Sequence, residues 1–186
     1  MTSVPVERAI RSDARRNRAR LTEVAAAAFR DEGLDVGVDE IARRAGVGVA
    51  TLYRHFPAKT DLILAVMDAV LDDLEAGAAK ALKGADPERA VARFLRSTMA
   101  LQCRNRGFLE TLAHHDLPAG VRDRLSRRTR AILEPVVAAG HQTGTIRPEL
   151  DAADMLVVVR MLGVVSSAPR RPAPDRYLDV LLRGLA

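Results

Sequence analysis

The chain has 186 residues, of which 48% are apolar and 3% aromatic, and it carries a formal net charge of +5. This apolar content excludes a disordered protein, and apolar residues that recur at helical spacing predict an all-α fold. The one cysteine, Cys103, excludes an internal disulfide and is typical of a protein in a reducing cytosol. Because neither a signal peptide nor a long apolar span is recognisable, we expect a cytoplasmic protein.

The N-terminal segment is rich in arginine. Residues 1–12 are predicted to form a flexible arm, and the helix that follows carries an apolar stripe before Gly33 ends it. Between Arg8 and Arg20 the chain has six arginines against one aspartate, Asp13. This excess indicates either a solvated tail or a segment that contacts phosphates.

Two short helices are predicted next, over residues 38–45 and 49–56, joined by a tight turn. Gly46 stands where a helix ends in a left-handed residue, a conformation that glycine adopts at little cost. Apolar residues of both helices share a spacing of three or four and can form a small core. They are Val38, Ile41, Ala42, Ala45, Leu52 and Phe56, with Val47 from the turn. The pattern predicts a helix-turn-helix, with an ordinary helical hairpin as the alternative.

The other face of the second helix is small at its N-terminal end and polar one turn later. The outward residues are Val49, Ala50, Thr51, Tyr53, Arg54 and His55. Small side chains let a helix approach base edges in a major groove about 12 Å wide, and Val or Ala can contact a thymine methyl group. The face is therefore suited to reading DNA.

The run from Asp39 to Lys59 closely resembles the DNA-binding domain of the TetR family of transcriptional regulators. Its signature is Ala-Gly-Val-x-x-x-Thr-Leu-Tyr-x-His-Phe-x-x-Lys, and the resemblance covers about the first third of the chain. It implies a homodimer that binds a double-stranded DNA operator, with one recognition helix per subunit in the major groove. It also implies a variable C-terminal domain that usually binds a small-molecule effector. Repression of a palindromic operator is the commoner behaviour in the family, and activation is the alternative.

Matched position by position, the resemblance implies a set of DNA contacts. The set comprises Gly48, Val49, Ala50, Thr51, Tyr53, Arg54, His55 and Lys59, together with Arg16 on the preceding helix. The arginines expected near the phosphate backbone at the entrance of that helix are Arg15, Arg16, Arg18 and Arg20. Three positions depart from the family: Gly37 replaces a frequent N-cap Thr, Asp39 a frequent basic residue, and Gly48 a frequent Ser.

A longer helix is predicted from Lys59 to about Lys83, and it is expected to belong to two domains. We predict a helix-turn-helix domain over 13–60 and a helical ligand-binding and dimerisation domain over 61–186. A shift at the far end of the shared helix would change the spacing of the recognition helices in a dimer.

The second domain is predicted to contain helices over 87–103, 107–115 and 121–140. Pro135 lies inside the third of them, where it should produce a kink that could leave room for a ligand. The residues that could line such a pocket are Met99, Cys103, Phe108, Leu112, Leu133, Val137, Met155 and Met161. Polar groups that could orient a ligand are Gln102, His114, His141 and Arg160. The alternative is a fully packed core.

The last two helices are expected to form a dimer interface. Asp151 should cap a helix that continues to about Val165 and is apolar nearly all round, and residues 175–185 should form the final helix after a Pro-rich link at 168–174. The residues predicted at the interface are Val158, Leu162, Leu178 and Leu182. A core helix buried within one subunit is the alternative.

Enzyme and metal sites are not indicated. Adjacent His114 and His115 diverge by about 100° on a helix, and no further ligand pair accompanies them and Cys103. No nucleophile motif or phosphate-binding glycine loop is present, so we expect no enzyme activity, metal or cofactor. The alternative function is a helical protein-interaction adaptor, and salt-dependent retention on DNA would distinguish the two.

Overall fold

The structure is a computed structural model that describes the backbone of residues 4–166 and 174–185 and the side chains of 13–163 and 176–185. Within these ranges the chain forms nine α-helices and a short 3-10 turn at Pro87–Arg89, without a β-strand. The all-α prediction is therefore confirmed. The helices are α1 (Val4–Glu32), α2 (Val38–Arg44), α3 (Val49–His55), α4 (Lys59–Leu82), α5 (Ala90–Arg104), α6 (Arg106–Ala113), α7 (Ala119–Gln142), α8 (Ala152–Ser166) and α9 (Pro174–Leu185). None of the helices in the described part of the chain is long and apolar enough to cross a membrane.

The first helix is longer than the sequence predicts. It begins at Val4, so residues 4–12, expected to be a flexible arm, are helical. Pro5 is compatible with this start because proline is tolerated in the first turn of a helix. Flexibility of the segment stays a prediction, and residues 1–3 lie outside the described residues. The end agrees with the prediction, since Gly33 has φ of 77° and its N–H donates to the carbonyl of Phe29 at 3.1 Å.

The chain separates into two compact units, 1–69 and 70–186, and each has its own core. In the first unit α2 packs against both α1 and α3. The small core predicted for the two short helices is confirmed, with Val38 and Val47 half-buried at its edge. Side chains with at most 1% exposure are Leu21, Ala25, Ala28, Phe29, Ile41, Ala42, Ala45, Leu52 and Phe56. The division falls within α4, whose first half buries Leu62, Ile63 and Val66, whereas the sequence-based boundary is at 60/61.

The second unit is built around α5, which packs against α7, α8 and α9. Its core is apolar, and each large side chain contributes about 1.5–3 kcal/mol when fully buried. Members with at most 2% exposure include Phe94, Leu95, Phe108, Leu133, Val136, Met155, Leu162 and Leu178. Pro135 lies inside α7 with its own ring exposed. The link at 168–174 falls almost wholly outside the described residues.

The connection between α4 and α5 is held by one side chain. Arg93 donates from Nη2 to the carbonyls of Ala81 and Asp86, both at 2.8 Å, and from Nε to the Ala81 carbonyl at 3.3 Å. A Cβ on Gly84 would lie only 2.5 Å from Nη2 of this guanidinium. Glycine at 84 therefore lets the guanidinium reach the end of α4.

The start of α8 is capped as predicted. Oδ1 of Asp151 accepts hydrogen bonds from the backbone N–H groups of Ala153 at 2.7 Å and Asp154 at 3.0 Å. Oδ2 of Asp154 accepts one from the N–H of Asp151 at 2.9 Å. These bonds to Asp154 and Ala153 lower the pKa of Asp151. The cap fixes the first turn of α8 without help from another helix.

Candidate nucleic-acid interface

The turn between α2 and α3 is fixed by backbone geometry. Gly46 has φ of 66°, and its N–H donates to the carbonyl of Arg43 at 3.1 Å. The N–H of Val47 donates to the carbonyl of Ala42 at 3.0 Å. This pair of bonds is the Schellman motif, which needs a left-handed residue at the position of Gly46. The predicted turn is confirmed, and it sets the direction in which α3 leaves α2.

The outward face of α3 combines apolar and basic side chains. Val49 is 40% exposed and Tyr53 is 46% exposed, although both are large and apolar in their main part. Ala50 and Arg54 are exposed beside them. On the opposite face Leu52 is buried in the core of the unit. The sequence and the structure thus agree on which face of α3 is available to a partner.

The remaining predicted contact residues are less uniform in their exposure. Thr51 and His55 are half-buried along one flank of α3, and Lys59 is half-buried at the start of α4. Gly48 is exposed at the N-terminus of α3. Arg16 is exposed on α1 and forms an ion pair with Asp13. Whether each residue contacts DNA stays a prediction.

Arg18 makes a contact that sequence reasoning did not predict. Its Nη1 donates to the carbonyl of His55, the last residue of α3, at 2.6 Å. Its guanidinium carbon lies 4.1 Å from the ring centroid of Phe56. The partners are separated by 37 residues, so no local pattern in the sequence could reveal the contact. Arg18 was expected to contact phosphates; here it joins α1 to the end of α3.

Both short helices begin at a glycine with extended backbone, Gly37 for α2 and Gly48 for α3. Glycine has no side-chain oxygen to accept a hydrogen bond from the first N–H groups, so both caps are weaker than those of Ser or Thr. No described atom lies within 4 Å of where a Cβ on Gly48 would stand. At Gly37 the Cβ would come 2.5 Å from Oδ1 of Asp39.

Carboxylates hold two arginines of α2. Glu40 accepts hydrogen bonds from Nε and Nη2 of Arg43 at 2.8 and 2.7 Å and from Nε of Arg44 at 2.6 Å. Arg44 also reaches Glu32 on α1 at 2.5 Å. The bonds from Arg43 and then Arg44 lower the pKa of Glu40 to about 2. These two arginines therefore act as links inside the unit, in addition to any role in attracting an anionic partner.

The residues predicted to line a ligand pocket do not all lie in the core. The buried members are Met99, Phe108, Leu133, Val137 and Met155, and Leu112 is half-buried. Cys103 is exposed and Met161 is 49% exposed, so these two side chains do not lie in the core with the others, and their part in a ligand pocket stays a prediction. The helical rotation of α5 and α8, set by their packing on each other, directs these two side chains outward. Of the predicted orienting groups, Gln102 donates from Nε2 to the carbonyl of Val159 at 2.7 Å and so joins α5 to α8.

A pocket of about 250 Å³ lies elsewhere in the second unit, between the α7–α8 connection, the start of α8 and the end of α9. Its lining includes Met155, which belongs to the predicted ligand set, and the half-buried Val158 and Leu181. Arg147 and Asp154 bring charge to its wall. Its volume is below the range of about 300–1,000 Å³ typical of ligand sites.

The predicted dimer residues divide into two groups. Leu162 and Leu178 are fully buried within the chain, so the prediction that they contact a second subunit is wrong in this packing. Val158 and Leu182 are half-buried. The outward apolar side chains of these helices are instead Val157 at 54% exposure, Met161 at 49% and Val180 at 66%. The reason is that α8 packs on α5 and α7 through one of its apolar faces, which leaves the other face outside.

The histidines considered as metal ligands lie on the surface. His114, His115 and Cys103 are all exposed, and Nδ1 of His114 is 2.8 Å from the carbonyl of Glu110. Throughout the part of the chain with described side chains, no three residues of the ligating types come together.

Comparison with known proteins gives a match for each part of the chain. A family model described as bacterial regulatory proteins of the tetR family matches residues 21–66. A second model, described as the C-terminal domain of SbtR-like transcriptional regulators, matches residues 86–186, more than half of the chain. An HTH-type transcriptional regulator of Staphylococcus aureus strain USA300 is 42% identical over 64 residues, which are 34% of this chain and 35% of that protein. The chain thus matches about a third of the length of such curated relatives.

Solved structures resemble the whole chain. The TetR transcription regulatory protein from Mycobacterium vanbaalenii is 33% identical, with a TM-score of 0.70 over 95% of this chain and 98% of its own. The structure of AibR in complex with isovaleryl coenzyme A and operator DNA is 23% identical, with a TM-score of 0.66 over 91% and 97% of the two chains. At 23% identity, the likeness to AibR shows a shared fold.

Proposed function

Because the chain belongs to the TetR family of bacterial regulatory proteins and has its DNA-binding domain, we propose that it is a transcriptional repressor with a small-molecule effector. It binds a palindromic operator as a homodimer, with one α3 per subunit in the major groove. Binding of the effector to the second unit lowers the affinity for the operator.

The outward face of α3 carries this proposal. Val49 and Tyr53 are exposed in the free chain, next to Arg54, and an exposed apolar pair beside a cation suits base edges flanked by phosphates. A helix with a purely solvent-facing role would not need apolar side chains at both positions. Val49 and Ala50 contact the bases, Thr51 and Tyr53 lie at the edge of the groove, and Arg54 with Lys59 contacts phosphates.

In this proposal the second subunit binds to α8 and α9. Val157, Met161 and Val180 leave an apolar surface on the two helices, and a second copy that covers this surface removes it from water. The interface is isologous, which means that both subunits use the same surface, so each interface residue occurs in it twice. Two α3 helices related by the same two-fold axis then read the two halves of a palindrome.

Support for effector control comes from the architecture of the family. AibR, which has the same fold, is seen with both isovaleryl coenzyme A and operator DNA. In the present chain α4 continues from the first unit into the second, so it can carry a change from one to the other. The buried residues Met99, Phe108 and Met155 form the apolar wall against which an effector packs when the core opens.

Selection of bound sequences from random duplex DNA tests the DNA-binding part of the proposal. We expect an enriched palindrome whose half-sites lie about one helical turn, 34–36 Å, apart. Recovery of sequences without a common motif would contradict it. Binding to DNA that does not weaken with salt would contradict the proposed phosphate contacts.

Effector control is tested separately. A library of small apolar and cationic compounds is screened by thermal shift, and each compound that stabilises the protein is added to operator titrations. Because coupling is reciprocal, release from the operator should saturate with dose, and DNA should weaken ligand binding by the same factor. If every stabilising compound leaves operator affinity unchanged, this half of the proposal is wrong.

A further inference from the structure

The C-terminal end of the recognition helix is held by a side chain from another helix. Nη1 of Arg18 on α1 donates to the carbonyl of His55 at 2.6 Å, where α3 ends. The same guanidinium lies over the ring of Phe56 at 4.1 Å, within the distance of a cation–π interaction. A cation at this end also interacts favourably with the helix dipole. One side chain thus satisfies a terminal carbonyl, stacks on a core ring and balances the dipole.

At the N-terminal end of α3, the described residues provide no side-chain hydrogen bond to the N-cap. α3 has seven residues, too few to be stable as an isolated helix. Gly48, at its N-cap, has no side chain with which to accept a hydrogen bond from the first turn. Leu52 and Phe56 anchor the helix to the core, but apolar contacts tolerate small rotations. The directional bond from Arg18 is therefore the contact that fixes how the end of α3 is oriented.

We propose that Arg18 is a positioning residue for DNA recognition: it orients α3 by binding its C-terminal carbonyl, and it does not act as a phosphate contact. Nη1 and one face of the guanidinium are engaged inside the protein before any partner binds, so the position of this side chain is set by the end of α3. The inference rests on the DNA-binding role of α3. It gives Arg18 a different role from the neighbouring arginines of α1, which are expected to lie near phosphates.

Amide hydrogen exchange in the free protein gives the first test, because it requires no operator. Arg18→Gln is compared with Arg20→Gln, a matched loss of charge two residues away on α1. Arg20 lies beside Gly46 at the turn, where a Cβ on Gly46 would be 3.5 Å from its Nη2. We expect the amides from Leu52 to Phe56 to exchange about tenfold faster in Arg18→Gln than in Arg20→Gln. Equal rates in the two variants would overturn the proposal.

Operator binding gives the second test, with the duplex recovered by selection and a scrambled duplex of equal length. Arg18→Gln should lower operator affinity about tenfold and affinity for the scrambled duplex far less. It should leave the slope of log K against log salt unchanged, whereas Arg54→Gln should reduce that slope by about 0.9. A slope reduced by that amount in Arg18→Gln, with an unchanged ratio of specific to nonspecific affinity, would assign Arg18 to a phosphate and overturn the proposal.

Two further variants keep the test decisive. If Arg18→Gln does not fold, Arg18→Lys replaces it: partial loss of protection in α3 supports the proposal, and protection equal to that of the wild type contradicts it. Gly48→Ser in the Arg18→Gln background adds a cap at the other end, where no described atom lies within 4 Å. We expect it to restore part of the lost protection. If no duplex is selected but α3 loses protection as expected, the proposed function fails and the role of Arg18 in DNA recognition fails with it, while its contact with α3 is shown to orient the helix.

Discussion

Two helices of this protein leave pairs of large apolar side chains exposed one helical turn apart, and the residues around each pair differ. On α3 the pair is Val49 and Tyr53, next to Arg54 on a short helix held by a glycine turn. On α8 the pair is Val157 and Met161, next to Arg160 on a longer helix whose opposite face is buried. Apolar exposure alone therefore does not identify a partner.

The two pairs differ in the side chains that surround them. α3 is a small projecting element whose surroundings are mostly basic, which suits a polyanion that is read in detail. α8 leaves its outward pair exposed and α9, which packs on α8, leaves Val180 exposed, and exposed apolar side chains on adjacent helices suit a second protein surface. If this comparison is right, changes on α3 should affect which DNA is bound, and changes on α8 should affect whether two chains associate.

The largest effect is expected from a charge on the outward face of α8. Met161→Glu places a carboxylate in the proposed interface twice, once per subunit, and each lost apolar burial costs at least about 1.5 kcal/mol. The dissociation constant of the dimer should rise by about 100-fold or more, as measured by sedimentation over a range of concentrations. Ala138→Glu, on the exposed face of α7, is the matched control. A Met161→Glu protein that remains dimeric would break the comparison.

A smaller effect is expected at the face of α3. Val49→Ala should change base preference at one position of each half-site by about 1–3 kcal/mol, since direct contacts to base edges carry sequence. Lys59→Ala should weaken all sequences alike and flatten the salt dependence. Both are measured by competition binding with single-base variants of the operator. The opposite pattern would show that the contacts are assigned to the wrong residues.

The turn before α3 should be sensitive to a single methyl group. Gly46→Ala must adopt φ near 66°, which costs an L-residue about 1–2 kcal/mol. Its Cβ meets Arg20 at an ordinary distance of 3.5 Å, so the cost is one of backbone conformation. Urea unfolding should show this loss of free energy, and Gly120→Ala, in the first turn of α7, should stabilise the protein by about 0.5–1 kcal/mol. Unchanged stability in Gly46→Ala would contradict the assigned turn.

The smallest effect concerns the charged links of α2. The pKa of Glu40 is about 2 in the folded protein, below the ordinary value of 4.5. Because the folded-state pKa is depressed, the carboxylate contributes stability above pH 4.5, and this contribution is lost as the pH falls towards 2. The difference in unfolding free energy between the wild type and Glu40→Gln should therefore shrink over that window. If this difference does not change with pH, the ionised carboxylate of Glu40 is not the source of the stability.

Local signals in the sequence were sufficient to predict the helix-turn-helix of the first unit. The spacing of Ile41, Leu52 and Phe56 and the left-handed glycine at 46 act over a few residues, and the structure confirms them. The cap at Asp151 is local in the same way. The DNA contacts themselves stay predictions, because they depend on a partner.

Features that depend on packing between distant helices were not predictable. α8 is apolar on more than one face, so periodicity could not show which face packs on α5 and α7. Leu162 was assigned to the dimer interface and is buried within the chain, whereas Met161 was assigned to the ligand pocket and is exposed. Arg18 was grouped with its neighbours because nothing nearby in the chain marks its partner 37 residues away. These errors on α8 and at Arg18 arose where the fold, and not the segment, decides the orientation of a side chain.

The bond network at the end of α4 limits how this protein can be recombined with its relatives. A chimaera that takes the second unit of a relative from a junction between Asp86 and Arg93 would keep the carbonyls of Ala81 and Asp86 but exchange Arg93, whose guanidinium binds them. Any substitution of Gly84 would also crowd that guanidinium. Residues 81–93 should be inherited as one block, and the junction is better placed earlier, within α4. A chimaera built on this rule keeps the end of α4 intact while the rest of the second unit is exchanged.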